Sequence, residues 1–129
     1  MDGSDRATTS ITRPETKTGL GTHLLIDLSN GHGLNDQTRV ETALRDAAMA
    51  AGAQLLDIRI HQFAPQGVTG VALLAESHIT VHTWPEKGFA AFDAFMCGDA
   101  DPLAVVDVLA KVFQTTDIDV RSLSRGQGI

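Results

Sequence analysis

The segment Ser77-His78-Ile79-Thr80-Val81-His82-Thr83-Trp84 limits the fold of this 129-residue chain more than any other. Ile79, Thr80, Val81 and Thr83 are β-branched; they crowd a helix and suit a pleated strand. In a strand His78, Thr80, His82 and Trp84 share one face, and Ile79, Val81 and Thr83 take the other. One face then packs while the other carries polar chemistry. On a helix the two histidines would meet and could share a zinc ion. On a strand they stand about 13 Å apart at about 3.3 Å per residue, too far for bonds of ~2.0–2.1 Å to one ion. No metal is expected.

The flanking sequence supplies partners for that strand. Thr22–Leu28, Leu55–Phe63, Val68–Ala75, Phe89–Met96 and Ile118–Leu123 read as further strands, separated by Gly, Pro and Asn turns. In the second of these, Leu56, Ile58 and Ile60 should point inward, and Asp57, Arg59, His61 and Phe63 outward. Asn35 or Asp36 can cap a helix running to about Ala51, with Gly52 as its stop. Asp101-Pro102 opens a second helix, with Leu103, Val106, Ala110 and Phe113 as its buried stripe, ending near Gln114. The order β-α-β-β-β-β-α-β suits an α+β two-layer sandwich, an antiparallel sheet with two helices on one face. Residues 1–19 lack periodicity and are expected to be a flexible tail, followed by a single domain over 20–129.

Composition narrows the function. A net charge of −6 with no run of Lys or Arg argues against nucleic acid. No apolar run approaches the ~18 residues of a membrane span, and no secretory signal opens the chain. The single Cys97 excludes an internal disulfide and fits the cytoplasm.

Several side chains have both a plain and a chemical reading. Ser77 can be an ordinary strand serine, and His82 a core histidine with one hydrogen-bond partner. His78 stands between structural and functional roles. Cys97 can be a small buried hydrophobe or a nucleophile paired with a histidine. Phe63 offers a flat apolar ring for a purine face or a core side chain, and Glu86 a carboxylate for vicinal hydroxyls or a solvated turn. Trp84 suits either a pocket wall or a packed turn.

The run Ala75-Glu76-Ser77-His78-Ile79-Thr80-Val81-His82-Thr83-Trp84-Pro85-Glu86, followed by Cys97-Gly98-Asp99, resembles the short prokaryotic S-adenosylmethionine decarboxylases, over roughly residues 20–125. The resemblance implies a proenzyme that cuts itself between Glu76 and Ser77, giving a 1–76 β chain and a 77–129 α chain. Ser77 would become a covalent pyruvoyl group that takes the substrate's amine as a Schiff base. The resemblance further makes His82 the base for processing and Cys97 the acid that returns a proton to the substrate carbon. Phe63 and Glu86 would hold adenine and ribose, with Trp84 lining the pocket. Thr69 falls where the family normally has serine; it keeps the processing hydroxyl but adds a methyl group. Lys87 is a milder departure.

The implied product is the aminopropyl donor for spermidine synthesis, and the implied assembly is a homodimer. The open sheet face with Phe63, His82 and Trp84 independently calls for a cover. Two rivals remain at this point: a pyruvoyl-dependent arginine or ornithine decarboxylase on the same scaffold, and a non-catalytic relative that binds a partner decarboxylase.

Overall fold

A computed structural model describes residues 9–12 and 19–129. Seven strands and two helices follow one another as β1 (Ser10–Thr12), β2 (Gly21–Leu28), α1 (Gln37–Ala50), β3 (Leu55–Gln62), β4 (Val68–Leu74), β5 (Ser77–Trp84), β6 (Phe89–Cys97), α2 (Leu103–Val112) and β7 (Ile118–Arg125). A single 3-10 turn, Pro85–Lys87, joins β5 to β6. The strands form one sheet in the order β1-β7-β2-β6-β5-β4-β3. All neighbours are antiparallel except β1, which runs parallel to β7.

Alternation sorts the two faces. Leu24, Ile26 and Leu28 of β2, Ala72 and Leu74 of β4, Ile79 and Val81 of β5, Phe92 and Met96 of β6 and Val120 of β7 are buried on one face. That face meets Val40, Ala43, Leu44 and Ala47 of α1 and Val105, Val106, Leu109 and Phe113 at α2 in one core. Alanine is the commonest buried residue of α1, which lets the helix axis lie close to the sheet. Gly70 serves the same approach: a Cβ there would stand 2.8 Å from Ile60 and 3.1 Å from Leu44. The opposite sheet face has no helix. Leu25, Val71, Leu73, Trp84 and Leu123 are exposed on it.

The ends of the helices follow the expected chemistry with small shifts. Asp36 caps α1, its Oδ1 accepting from the Arg39 amide at 3.1 Å, and Gly52 follows in the left-handed region at φ +78°. Asp101 Oδ1 accepts from the Leu103 amide at 3.1 Å, so the helix proper begins one residue after Pro102 and ends at Val112. Its buried stripe is Val105, Val106 and Leu109; Leu103 and Ala110 are only partly covered.

Two expectations differ from the structure. Leu56 is 56% exposed rather than inward. The β3–β4 register shifts between Leu55 and Asp57, and such a bulge reverses the phase of alternation, leaving Leu55 against the core. The expected tail over 1–19 falls largely outside the described residues, but within it Ser10–Thr12 forms a strand. It covers the β7 edge, and the Thr9 hydroxyl donates to the Thr116 carbonyl at 2.8 Å.

Candidate active site

The β4–β5 hairpin turns through Ala75-Glu76 between the paired residues Leu74 and Ser77. The second turn residue must swing the chain back, and Glu76 does so at φ +59°. A side chain with a Cβ is strained there, by about 1–3 kcal/mol, where glycine would be at ease. The strained carbonyl belongs to the peptide bond that precedes Ser77. Ser77 itself is half-buried at the start of β5.

Cys97 ends β6, followed by Gly98 at φ +65°. His78 stands opposite Phe95, so continuing that register by two residues brings Cys97 across from Glu76. Cys97 also pairs with Gly21 at the start of β2. Glu76, Ser77 and Cys97 therefore occupy one end of the sheet. At this end a cleft of about 390 Å³ opens on the helix side, lined by Leu20, Gly21, Met96, Gly98, Pro102 and Ser122 among others.

The remaining expected site residues lie at the other end. Thr69 is paired with His82 across β4 and β5, and its Oγ1 is 2.9 Å from His82 Nδ1. Trp84 lies next along the same face, its ring 6.5 Å from His82 and 5.7 Å from Phe89. Phe63 is exposed and meets His61 edge-on at 4.4 Å. Its loop is closed by the Phe63 amide donating to the Gly67 carbonyl at 2.8 Å. Asn35 Oδ1 holds the loop from below, accepting from the Gly67 amide and from Gln62 Nε2, each at 2.8 Å. Glu86 is exposed on the 3-10 turn that follows Trp84. None of Phe63, Trp84 and Glu86 lines the cleft beside Gly98.

This chain thus holds the expected site residues in two half-sites and does not join them. Ser77 and His82 bound a six-residue segment of one extended strand, about 16 Å end to end at ~3.3 Å per residue. His82 cannot reach Ser77 of its own chain.

Between the half-sites lies a polar cluster that alternation alone did not single out. Asp93 Oδ2 accepts from His23 Nε2 at 2.6 Å and from His78 Nε2 at 3.0 Å, and the Thr80 hydroxyl donates to Oδ1. Burial alone would raise the Asp93 carboxyl; the hydrogen bonds from Thr80, His23 and His78 outweigh it and hold the group below its usual range. The signal available in the sequence was an acidic residue among Phe89, Ala91, Phe95 and Cys97, its same-face neighbours on β6. Its histidine partners come from two other strands and share no local pattern with it.

The donor atoms of His23, His78 and Asp93 lie within 4.8 Å of one another, close enough to suggest a metal. The hydrogen bonding favours a different use. Both ring nitrogens meet the same carboxylate oxygen, and Arg125 Nη1 is 3.0 Å from His23 Nδ1. An imidazole bound to a metal through Nε2 carries its proton on Nδ1, where it would face a guanidinium that can only donate.

A family model described as S-adenosylmethionine decarboxylase matches residues 22–126. An S-adenosylmethionine decarboxylase proenzyme of Methanococcus maripaludis is 44% identical over 110 residues, covering 83% of this chain and 90% of the relative. One from Prochlorococcus marinus is 44% identical over 109 residues, covering 82% and 89%. The crystal structure of the adenosylmethionine decarboxylase from Aquifex aeolicus superposes with a TM-score of 0.76 at 33% identity, covering 84% of this chain and 92% of that one. Arginine and ornithine as alternative substrates gain no support from these relatives. The chain belongs to the S-adenosylmethionine decarboxylase family.

Proposed function

We propose that this chain is a self-processing S-adenosylmethionine decarboxylase, cut between Glu76 and Ser77 and active as a homodimer. The observation that carries the reading is the left-handed Glu76 immediately before Ser77, at the tip of a hairpin, in a chain of this family. An amide is a poor electrophile, and backbone strain at its carbonyl lowers the barrier to attack. The Ser77 hydroxyl attacks the Glu76 carbonyl and the peptide bond rearranges to an ester. A base removes the Ser77 α-proton, the Glu76 carboxylate leaves from Cβ, and the resulting dehydroalanine is hydrolysed. The balance is one water consumed, one ammonia released, a β chain ending at Glu76 and an α chain with a pyruvoyl terminus.

When formed, the pyruvoyl carbonyl supplies an electron sink for loss of the substrate carboxylate, as organic cofactors do. The chain's residues do the rest. Cys97, at the same sheet end as residue 77, returns a proton to the substrate carbon. Phe63 and Trp84 offer aromatic faces to adenine, and Glu86 accepts from the ribose hydroxyls.

The base requires a second protomer. Stacking two open faces about a twofold axis, strands reversed, lays the Thr69–His82 end of one chain over the Ser77–Cys97 end of the other. The same packing covers Leu25, Val71, Leu73 and Leu123 and excludes water from the reacting terminus. No helix of the described residues is long and apolar enough to cross a membrane; with its free cysteine, the enzyme fits the cytoplasm. Intact mass spectrometry of the purified protein tests the proposal. Chains of residues 1–76 and 77–129 with a pyruvoyl mass support it; a single full-length chain overturns it.

A further inference from the structure

The Asp93 cluster is used by none of the steps above, and its hydrogen bonds define protonation states. Arg125 presents a donor to His23 Nδ1, so that nitrogen bears the lone pair and His23 Nε2 bears the proton. An ionised carboxylate only accepts; His78 must therefore also present Nε2–H to Asp93 Oδ2. His78 Nδ1 is left without a hydrogen-bond partner among the described residues. It is the ring nitrogen nearer the His78 backbone, and the next residue back is Ser77. The ring is fixed on other sides too, stacked on Phe95 at 6.1 Å and 25° and meeting His23 edge-on at 6.0 Å. Its side chain keeps 38% exposure, enough for a ligand to reach it.

We propose that Asp93 is a positioning residue that locks His78 as the Nε2–H tautomer and so keeps a proton acceptor, Nδ1, beside residue 77. Its task follows from the substrate's chemistry. An α-amino acid arrives as an ammonium ion, which cannot attack a carbonyl until a proton leaves. The N–H bond breaks, its electron pair stays on the amine, and the proton passes to His78 Nδ1. The inference rests on the proposed decarboxylase reading, because it needs an amine substrate at residue 77.

The test pairs spectroscopy with kinetics. In long-range 1H–15N spectra of the intact protein labelled on histidine, neutral His78 should carry its proton on Nε2. A proton on Nδ1 overturns the proposal. This readout is independent of activity and can be made equally on uncut Ser77→Ala protein. In Asp93→Asn the new amide can donate to Nε2, so the His78 tautomer should reverse. The variant should still be cut, yet lose kcat/KM by roughly 10²-fold, within the range for general acid–base catalysis. Asp93→Glu should restore part of the loss, and His78→Gln should match the Asn variant while leaving Asp93 in place. Normal kcat/KM in cut Asp93→Asn or His78→Gln protein overturns the proposal. A wild-type protein that stays uncut refutes the pyruvoyl reading, whereas the tautomer still reports on Asp93 itself.

Discussion

The Thr69 hydroxyl lies 2.9 Å from His82 Nδ1, across a cross-strand pair on the open sheet face. The contact fixes the imidazole ring and sets which nitrogen remains free for proton transfer. Threonine provides this with a χ1 stiffened by its methyl group.

Thr69→Ser should therefore be cut at nearly the native rate, and Thr69→Val more slowly. A lost hydrogen bond of about 0.5–1.5 kcal/mol corresponds to a slowing of roughly two- to thirteenfold. Time-resolved gel analysis of freshly purified protein gives the rates. Equal rates for the Ser and Val variants would show that the hydroxyl is idle.

Glu76→Gly should slow self-cleavage while stabilising the uncut chain. Glycine adopts φ near +59° without strain, so the reactant state loses the energy that favoured rearrangement. Each 1.4 kcal/mol removed from the reactant side costs about tenfold in rate. Urea unfolding in a Ser77→Ala background measures the stability, and gel analysis of the single variant measures the cutting. Faster cleavage in the glycine variant would contradict the role given to strain.

Legibility in the sequence followed the range of each interaction. Alternation along residues 77–84 was enough to place Ile79, Val81 and Thr83 in the core and His82 on the open face, because a strand's period is local. Leu56 escaped because a bulge is a property of the β3–β4 pair, and β3 read alone continues its phase. The strand Ser10–Thr12 escaped because its partner β7 lies more than a hundred residues away. The His23–Asp93–His78 cluster draws on three strands, so only the sheet order brings it together. The resemblance named Ser77 and His82 together, and the length of one strand keeps them apart within a single chain.

Cys97→Ala should self-cleave normally and decarboxylate about 10²-fold more slowly, the usual order of effect for a lost general acid. The expected separation of the two activities follows from its place opposite the cut rather than in the Thr69–His82 half-site. Mass analysis scores the cut, and carbon dioxide release scores turnover. Normal turnover would leave Cys97 a packing residue.

Acid stability should depend on Asp93. Its carboxyl titrates below the usual range in the folded chain, so folding favours the ionised form. That stabilisation is complete above the unfolded-state value, about 3.9, and is lost as pH falls through the lower folded value. In uncut Ser77→Ala protein, urea midpoints between pH 6 and pH 2.5 should fall below pH 4 by more than those of the same protein carrying Asp93→Asn. Parallel curves would mean that the three hydrogen bonds do not favour the carboxylate.

Mixing two inactive variants tests the assembly most directly. Within a protomer Ser77 and His82 are separated by about 16 Å of strand, so a composite site needs Ser77 and Cys97 from one chain and Thr69 and His82 from the other. A homodimer of Ser77→Ala has no residue to convert, and a homodimer of His82→Ala lacks its base. In a mixed dimer one of the two sites unites an intact Ser77 with an intact His82, while the other has lost both. Co-expression with distinct affinity tags, followed by tandem purification, isolates that species. Its single Ser77-bearing site should be competent, so the His82→Ala chain should be cut and activity should approach half that of the native dimer. If each site were built within one chain, the mixed dimer would contain no complete site, and neither cleavage nor turnover would return.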